Sequence, residues 1–509
     1  MNISRVPNHS QPDYDVLIIG AGISGIDAAY HLQKNRPGTR FAMLEAKDAI
    51  GGTWSTHTFP GIRSDSDLYT FGFKWKPWTG VPIATAGEIL RYLNAAIDEN
   101  DLRRHIRLSH PVQSAAWSSE TDLWHIRATD ADGSALEISA RFLWVCSGYY
   151  RHSGGFLPDF PGAGSFTGPI VHPQTWPDHL DYAGKRVVVI GSGATAATLI
   201  PAMAQKAAHV TMLQRSPTYF YPRPRKDEFA ETLKALDLPD DWIHEIMRRK
   251  FLYEQRTTIR RSRIEPDALK KDLLDGVRAY LGDGADIDTH FTPTYRPWQQ
   301  RVAMVPDGDL FQTIRAGAAS VVTDRIERFT PSGILLKSGQ ELDADIIVSA
   351  TGLVLNALGD IEFDVDGERF DIAESYTHRG IMFSGLPNLA HVFGYLRTSW
   401  TMRADLVSDY VCRLLGHMDD LGATSVTPTL RDADTASPPR PWIEPDNFNP
   451  GYITRSLDKL PRQGPGDPWV MTQDYFTEKD RLPAAGFDDG TLVFETSAAL
   501  APRIHNPQH

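Results

Sequence analysis

The sequence predicts an α/β protein with two Rossmann-like dinucleotide-binding domains and a helical insertion. Three observations carry that prediction. The stretch 14–33, "YDVLIIGAGISGIDAAYHLQ", reads as a buried strand, a glycine turn and a helix. The same grammar returns at 185–203, "KRVVVIGSGATAATLIPAM". Over 223–292 charge rises, glycine falls and long helical runs dominate. A chain of 509 residues is too long for one ordinary core, which also argues for separate domains.

In the first unit, "YDVLIIG" is a continuous apolar run of the kind that parallel sheets bury on both faces. Gly20, Gly22 and Gly25 spell GxGxxG directly after it. The first glycine permits the tight turn, the second lets backbone approach a diphosphate, and the third allows close helix–strand packing. Ser24 lies inside the same turn. The diphosphate then sits at a helix N-terminus, where free N–H groups and the helix dipole favour an anion. A second strand, "RFAMLEA", carries Glu45, 25 positions after Gly20. An acid there accepts hydrogen bonds from ribose hydroxyls and disfavours a 2'-phosphate, which suits FAD or NAD.

In the second unit, Gly191, Gly193 and Ala196 spell GxGxxA, with Ser192, Ala194 and Thr195 in the turn. The next strand ends "LQR": Arg215 stands where the first unit has Glu45, and Gln214 precedes it. A guanidinium can pair bidentately with a 2'-phosphate. The two units therefore read as FAD first and NADPH second.

The implied order is a first part of the FAD domain at 13–150, a linker at 151–181 and an NADPH domain at 182–222 and 293–350. The helical insertion at 223–292 interrupts the NADPH domain. The FAD domain returns at 351–509 with the C-terminal region. Within these, 331–352 reads as strands, 434–450 as a proline-rich surface excursion and 501–509 as a frayed tail.

Composition excludes several functions. Formal net charge is -12 with no basic stripe, which speaks against a nucleic-acid partner. The two cysteines, Cys146 and Cys412, form no CxxC, so no disulfide framework, zinc site or dithiol redox centre is expected. A reducing, cytoplasmic setting fits. The start "MNISRVPNHSQPDYD" has no apolar core of a signal peptide, and no long apolar run predicts a membrane span. Without a dithiol to receive them, electrons from NADPH would pass to O2 or a soluble acceptor. Nothing in the sequence sets the oligomeric state.

Between the two units lies "SFTGPIVHPQTWPD" (165–178). Its Phe166, Gly168, His172, Trp176 and Pro177 resemble the fingerprint of type I Baeyer–Villiger monooxygenases, within the flavin-containing monooxygenase superfamily. Further segments resemble the ethionamide-activating branch of that family: "GGTWSTHTFPGIRSDSDLYTFGF" (51–73), "CSGYY" (146–150), "TMLQRSPTY" (211–219), "PWQQRVAMVPDGDLF" (297–311) and "ADLVSDYVCRLL" (404–415). The resemblance spans roughly residues 14–480.

This resemblance implies FAD and NADPH as cofactors, O2 as co-substrate and conversion of ketones to esters through a C4a-peroxyflavin. Linear or aryl-alkyl ketones fit the branch, with sulfide or thioamide oxidation as a second activity. It implies that Asp65 and Arg301 flank the flavin. Arg301 would stabilise negative charge on the reacting oxygens, and Asp65 would hold Arg301. Gly52, Thr53 and Trp54 match flavin contacts, and Val112 matches an adenine contact. Arg63 and Ser64 would lie on the nicotinamide side. Thr195 and Gln214 would join Gly191, Ser192 and Arg215 around NADPH. Two departures stand out. Gln300 occupies a position where related enzymes carry a phosphate-binding lysine. Trp400, in the loop "GYLRTSWTM", lies where they expose substrate-facing residues. The alternatives are an N- or S-hydroxylating flavin monooxygenase and a redox-sensing nucleotide-binding protein.

Overall fold

The computed structural model describes residues 11–496. The first ten residues and the 501–509 tail lie outside the described residues. Two sheets organise the rest. The first has nine strands. At its centre, Tyr14–Ile19 pairs in parallel with Phe41–Leu44 on one side and Ala135–Val145 on the other. Chain direction from this central strand therefore diverges, leaving a crevice at its carboxyl end, where open α/β sheets bind ligands. Glu362–Val365 and Leu389–His391 join the same sheet.

The second sheet has five strands, all parallel. Its central strand, Arg186–Ile190, lies between His209–Gln214 and Ile346–Ser349. Each sheet has its own apolar core. Val16, Ile18, Ile26 and Leu32 belong to one, and Val187, Val189, Ile200 and Val210 to the other.

The insertion is helical as expected, with long helices Asp240–Ile264 and Pro266–Leu281. It is no solvated appendage. Ile243, Met247 and Phe251 of the first helix pack into the core of the first domain. Val277 and Leu281 of the second pack into the core of the other domain. The insertion thus clamps the two domains through two separate apolar contacts. Its ends are closed by a parallel pair, Tyr219–Arg223 with Val302–Pro306.

Two stretches carry more structure than their sequence suggests. The linker at 151–181 contains a strand: Ile170–Val171 forms the edge of the second sheet, paired with Ile347 and Val348. The proline-rich stretch 434–450 is not a surface excursion throughout. Trp442, Ile443 and Phe448 are buried in a core shared with Phe393 and Leu396.

Candidate active site at two glycine turns

The first turn is packed closely by the chain around it. Pairing of Ile19 with Leu44 sets Gly20 beside the strand end that carries Glu45. Gly20 has φ +105°, and a Cβ there would lie 2.6 Å from the Cys146 carbonyl oxygen. A Cβ on Gly25 would lie 1.9 Å from the Gly20 carbonyl oxygen. Gly22 instead faces Gly52, whose Cα would be 3.6 Å from an added Cβ. Two side-chain-free residues thus meet in van der Waals contact and leave bare backbone at the turn, which the close approach of a diphosphate requires. Glu45 is buried, and its carboxylate accepts the N–H groups of Ala21 at 2.8 Å and Lys47 at 3.0 Å. This fixes the acid at the lip of the turn. Thr53 and Trp54 open a one-turn helix that starts at Gly52. Val112 begins the strand Val112–Ser118, reached from His110, whose N–H donates to the Glu45 carbonyl at 2.8 Å.

Trp400 packs against this turn. Its indole N–H donates to Ser24 Oγ at 2.7 Å, and its ring stacks on Tyr149 at 4.8 Å. The helix Thr401–Leu421 starts at this tryptophan, so a second helix N-terminus lies beside the one at Ser24.

The second turn is open. Gly191 is strained at φ +128° and tight, since a Cβ would lie 2.4 Å from the Ala350 carbonyl oxygen. Gly193, by contrast, would meet nothing within 4 Å. It caps the helix Ala194–Met203 without a side-chain bond, so the N–H groups around Ala194 and Thr195 remain available to an anion. Ala196 is buried, and Ser192 Oγ shares a hydrogen bond with Thr218 Oγ1 at 2.8 Å. Arg215 is exposed. Arg455 lies close enough for its pKa to be lowered, by burial first and by the charge of Arg215 second. Sequence reasoning missed this second guanidinium. The Gln214 amide donates to the His290 carbonyl and Thr323 Oγ1, at 2.7 and 2.8 Å, and crosslinks neighbouring elements.

Arg301 lies between these regions. Its Nε donates to Tyr452 Oη and its Nη2 to Tyr149 Oη, both at 3.1 Å. Tyr149 also accepts the hydroxyl of Tyr150 at 2.6 Å. Burial pushes the Tyr149 phenol up to about 12, so it stays protonated at neutral pH. Burial works against the charge of Arg301, but the surrounding phenols and Asp65 outweigh it and hold its pKa above the ordinary range. The two tyrosines that hold Arg301 went unassigned in the sequence, although "CSGYY" ends a strand at the crevice where such residues belong.

Three neighbours depart from expectation. Asp65 is exposed and makes no ion pair with Arg301; its one hydrogen bond comes from Ser66 Oγ at 3.5 Å. Arg63 is committed to Asp309, with Nη2 to Oδ1 at 3.1 Å, and so ties the two domains together. Ser64 is buried and closes a turn with the backbone of Ser66. Gln300 is half-buried.

The fingerprint residues are fastened to the second domain. Phe166 packs edge-on against Phe329. A Cβ on Gly168 would lie 2.3 Å from the Asp345 carbonyl oxygen. His172 Nδ1 accepts the Gln174 N–H at 3.1 Å, so Nε2 carries the proton and donates to the Gly352 carbonyl at 3.0 Å. Burial lowers the pKa of His172, in keeping with this neutral form. Trp176 rests half-buried on the second core, and Pro177 is exposed.

Residues 83–250 match the family described as flavin-binding monooxygenase-like, and 18–78 match an NAD(P)-binding Rossmann-like domain. The chain is 46% identical to the FAD-containing monooxygenase EthA of Mycolicibacterium smegmatis, over 94% of this chain and 97% of that protein. It belongs to the FAD-containing monooxygenases. The enzyme is also 43% identical to the probable FAD-binding monooxygenase AlmA of Acinetobacter baylyi, over 97% of this chain and 98% of that protein. In fold it resembles an oxidized steroid monooxygenase bound to NADP. There the TM-score is 0.72 and the identity 23%, covering 94% of this chain and 99% of that one. The residues of the first turn fit FAD: glycines leave its backbone bare and the helix N-terminus beside Ser24 can face a diphosphate, with the Glu45 carboxylate held at the neighbouring strand end. Among the described residues, no helix is long and apolar enough to cross a membrane.

Proposed function

We propose that this monooxygenase is a Baeyer–Villiger enzyme that uses FAD and NADPH to convert linear or aryl-alkyl ketones to esters. Oxidation of sulfides and thioamides at sulfur is its second activity. Ketone, O2, NADPH and a proton give ester, water and NADP+. The observation that carries this reading is Arg301, a permanent cation fixed by two phenols beside the turn that fits FAD.

FAD, reduced by NADPH, supplies the activation of O2. The chain supplies charge and geometry. Arg301 cannot act as an acid near neutral pH, because a guanidinium does not deprotonate there. It acts instead as a preorganised donor pair for the negative charge that develops on the carbonyl oxygen. Both lone pairs of Tyr149 are occupied, by Arg301 and Tyr150, so its own O–H remains as a further donor. Asp65 lies within electrostatic reach of Arg301 and would pair with it when the domains reorient between reduction and oxygen transfer. Arg215 would read the 2'-phosphate, with Arg455 beside it in place of the lysine that Gln300 replaces. Thr53 and Trp54 would border the flavin, and Val112 the adenine.

The test is product identification after incubating the FAD enzyme with NADPH, O2 and a mixed panel of ketones and sulfides. Esters from the ketones are expected. Sulfoxides without any ester would assign the enzyme to heteroatom oxidation. NADPH consumption unaffected by every substrate would remove the oxygenase reading.

A further inference from the structure

Three arginines from three distant parts of the chain meet at the border of this site. They are Arg263 at the end of the long insertion helix, Arg296 in the segment leading to Arg301, and Arg397 in the loop leading to Trp400. None makes an ion pair among the described residues. Arg296 donates to the Asn447 carbonyl at 3.2 Å and to Asn447 Oδ1 at 3.4 Å; Arg397 donates to the same carbonyl. One neutral carbonyl thus serves two cations. Burial first, then the charges of Arg263 and Arg296, push the pKa of Arg397 down to about 10, with no carboxylate opposing them. Arg296 is likewise lowered, by burial and by Arg263.

Polar atoms here are also left without partners. Arg296 Nη1, Arg397 Nε, Thr398 Oγ1 and Trp298 Nε1 are all buried and unbonded. Native interiors seldom leave such donors unpaired, and each one costs stability unless a ligand or water satisfies it. Trp298 adds a second sign. It sits at φ +64°, a strained region for a bulky residue, and such strain collects at ligand sites.

The cluster is continuous with the reacting centre. Asn447 binds Arg296 and Arg397, Asn449 N–H donates to the Gln299 carbonyl at 2.9 Å, and Tyr452 holds Arg301. Five residues separate Arg296 from Arg301 and Asn447 from Tyr452, which bounds each separation at about 17 Å for extended chain.

We propose that Arg296 and Arg397, with Arg263 at the rim, bind a carboxylate on the substrate. The substrate class is then a keto acid whose carboxylate and ketone are joined by an alkyl spacer. This rests on the reading of Arg301 as the centre of oxygen transfer. Paired guanidiniums offer the fork geometry that a carboxylate accepts.

The test compares 10-oxoundecanoate with its methyl ester, and 11-(methylthio)undecanoate with its methyl ester, using the FAD enzyme and NADPH. The acids are expected to exceed the esters in kcat/KM by about 10- to 100-fold, the range of a charged hydrogen-bonded pair. Arg397→Gln and Arg296→Gln should each shrink that ratio through KM for the acid, and Arg397→Lys should restore part of it. Equal kcat/KM for acid and ester in the unmodified enzyme would overturn the proposal, and this arm needs no variant to fold. A rise in KM for NADPH with an unchanged acid-to-ester ratio would also overturn it, by assigning the cluster to coenzyme phosphate. Acid preference on the sulfide pair with no turnover of either ketone would keep the carboxylate site and remove the ketone reading instead.

Discussion

The two glycine turns share a sequence grammar and differ in enclosure. At the first, Gly22 faces Gly52, Glu45 is buried, and the Trp400 indole closes over Ser24. At the second, Gly193 faces open space and Arg215 is exposed. The same strand, turn and helix can thus sit in closely packed or in open surroundings. What sets the difference is the chain packed around the turn: the 51–54 segment and the 394–402 loop cover the first and leave the second open.

The comparison can be broken in four places. The largest effect belongs to Gly25→Ala. Its Cβ would fall 1.9 Å from backbone, so the first turn must open, and the purified protein should lack flavin absorbance. A yellow, active Gly25→Ala enzyme would contradict the packing role of that glycine. Next is Arg215→Ala, which should weaken NADPH by ~1.5–3 kcal/mol, the value of a charged hydrogen bond. NADH binding should barely move; equal loss for both coenzymes, measured by steady-state KM, would show that Arg215 does not read the 2'-phosphate. Gly193→Ala should raise KM for NADPH while flavin content and melting temperature stay put, because its Cβ meets no protein atom. Smallest is Trp400→Phe, which removes one hydrogen bond to Ser24, worth about 1 kcal/mol. It should loosen flavin retention, read as faster release on dilution, and leave the NADPH KM unchanged.

What the sequence revealed followed the range of the interactions. Both parallel units were legible because apolar runs and glycine turns are local, whereas their registers are defined only by pairing in the fold. The helical insertion was legible from its composition. The strand Ile170–Val171 was not, because two residues carry no pattern and only pairing with Ile347 and Val348 defines them. Trp442 and Phe448 were hidden in a proline-rich stretch, since their burial depends on Phe393 and its neighbours. The site divides in the same way. Glu45 and the glycines were readable from local spacing. The hold of Tyr149 and Tyr452 on Arg301 joins positions about 150 residues apart in chain, and the Arg63–Asp309 pair spans 246. Arg63 and Gln214 were taken for cofactor contacts from the family resemblance. Only the fold shows that Arg63 is held by Asp309 and that the Gln214 amide N–H groups are held by His290 and Thr323.

Arg301→Ala tests the central claim most directly, through its two half-reactions. Mixed with NADPH without oxygen, the variant should still lose its yellow flavin colour, because hydride transfer does not use the oxyanion donors. Given O2 and a ketone, it should form ester on the order of 100- to 1000-fold more slowly, the usual cost of removing one oxyanion donor. Ester formation at the unmodified rate would contradict the account and remove Arg301 from the reaction.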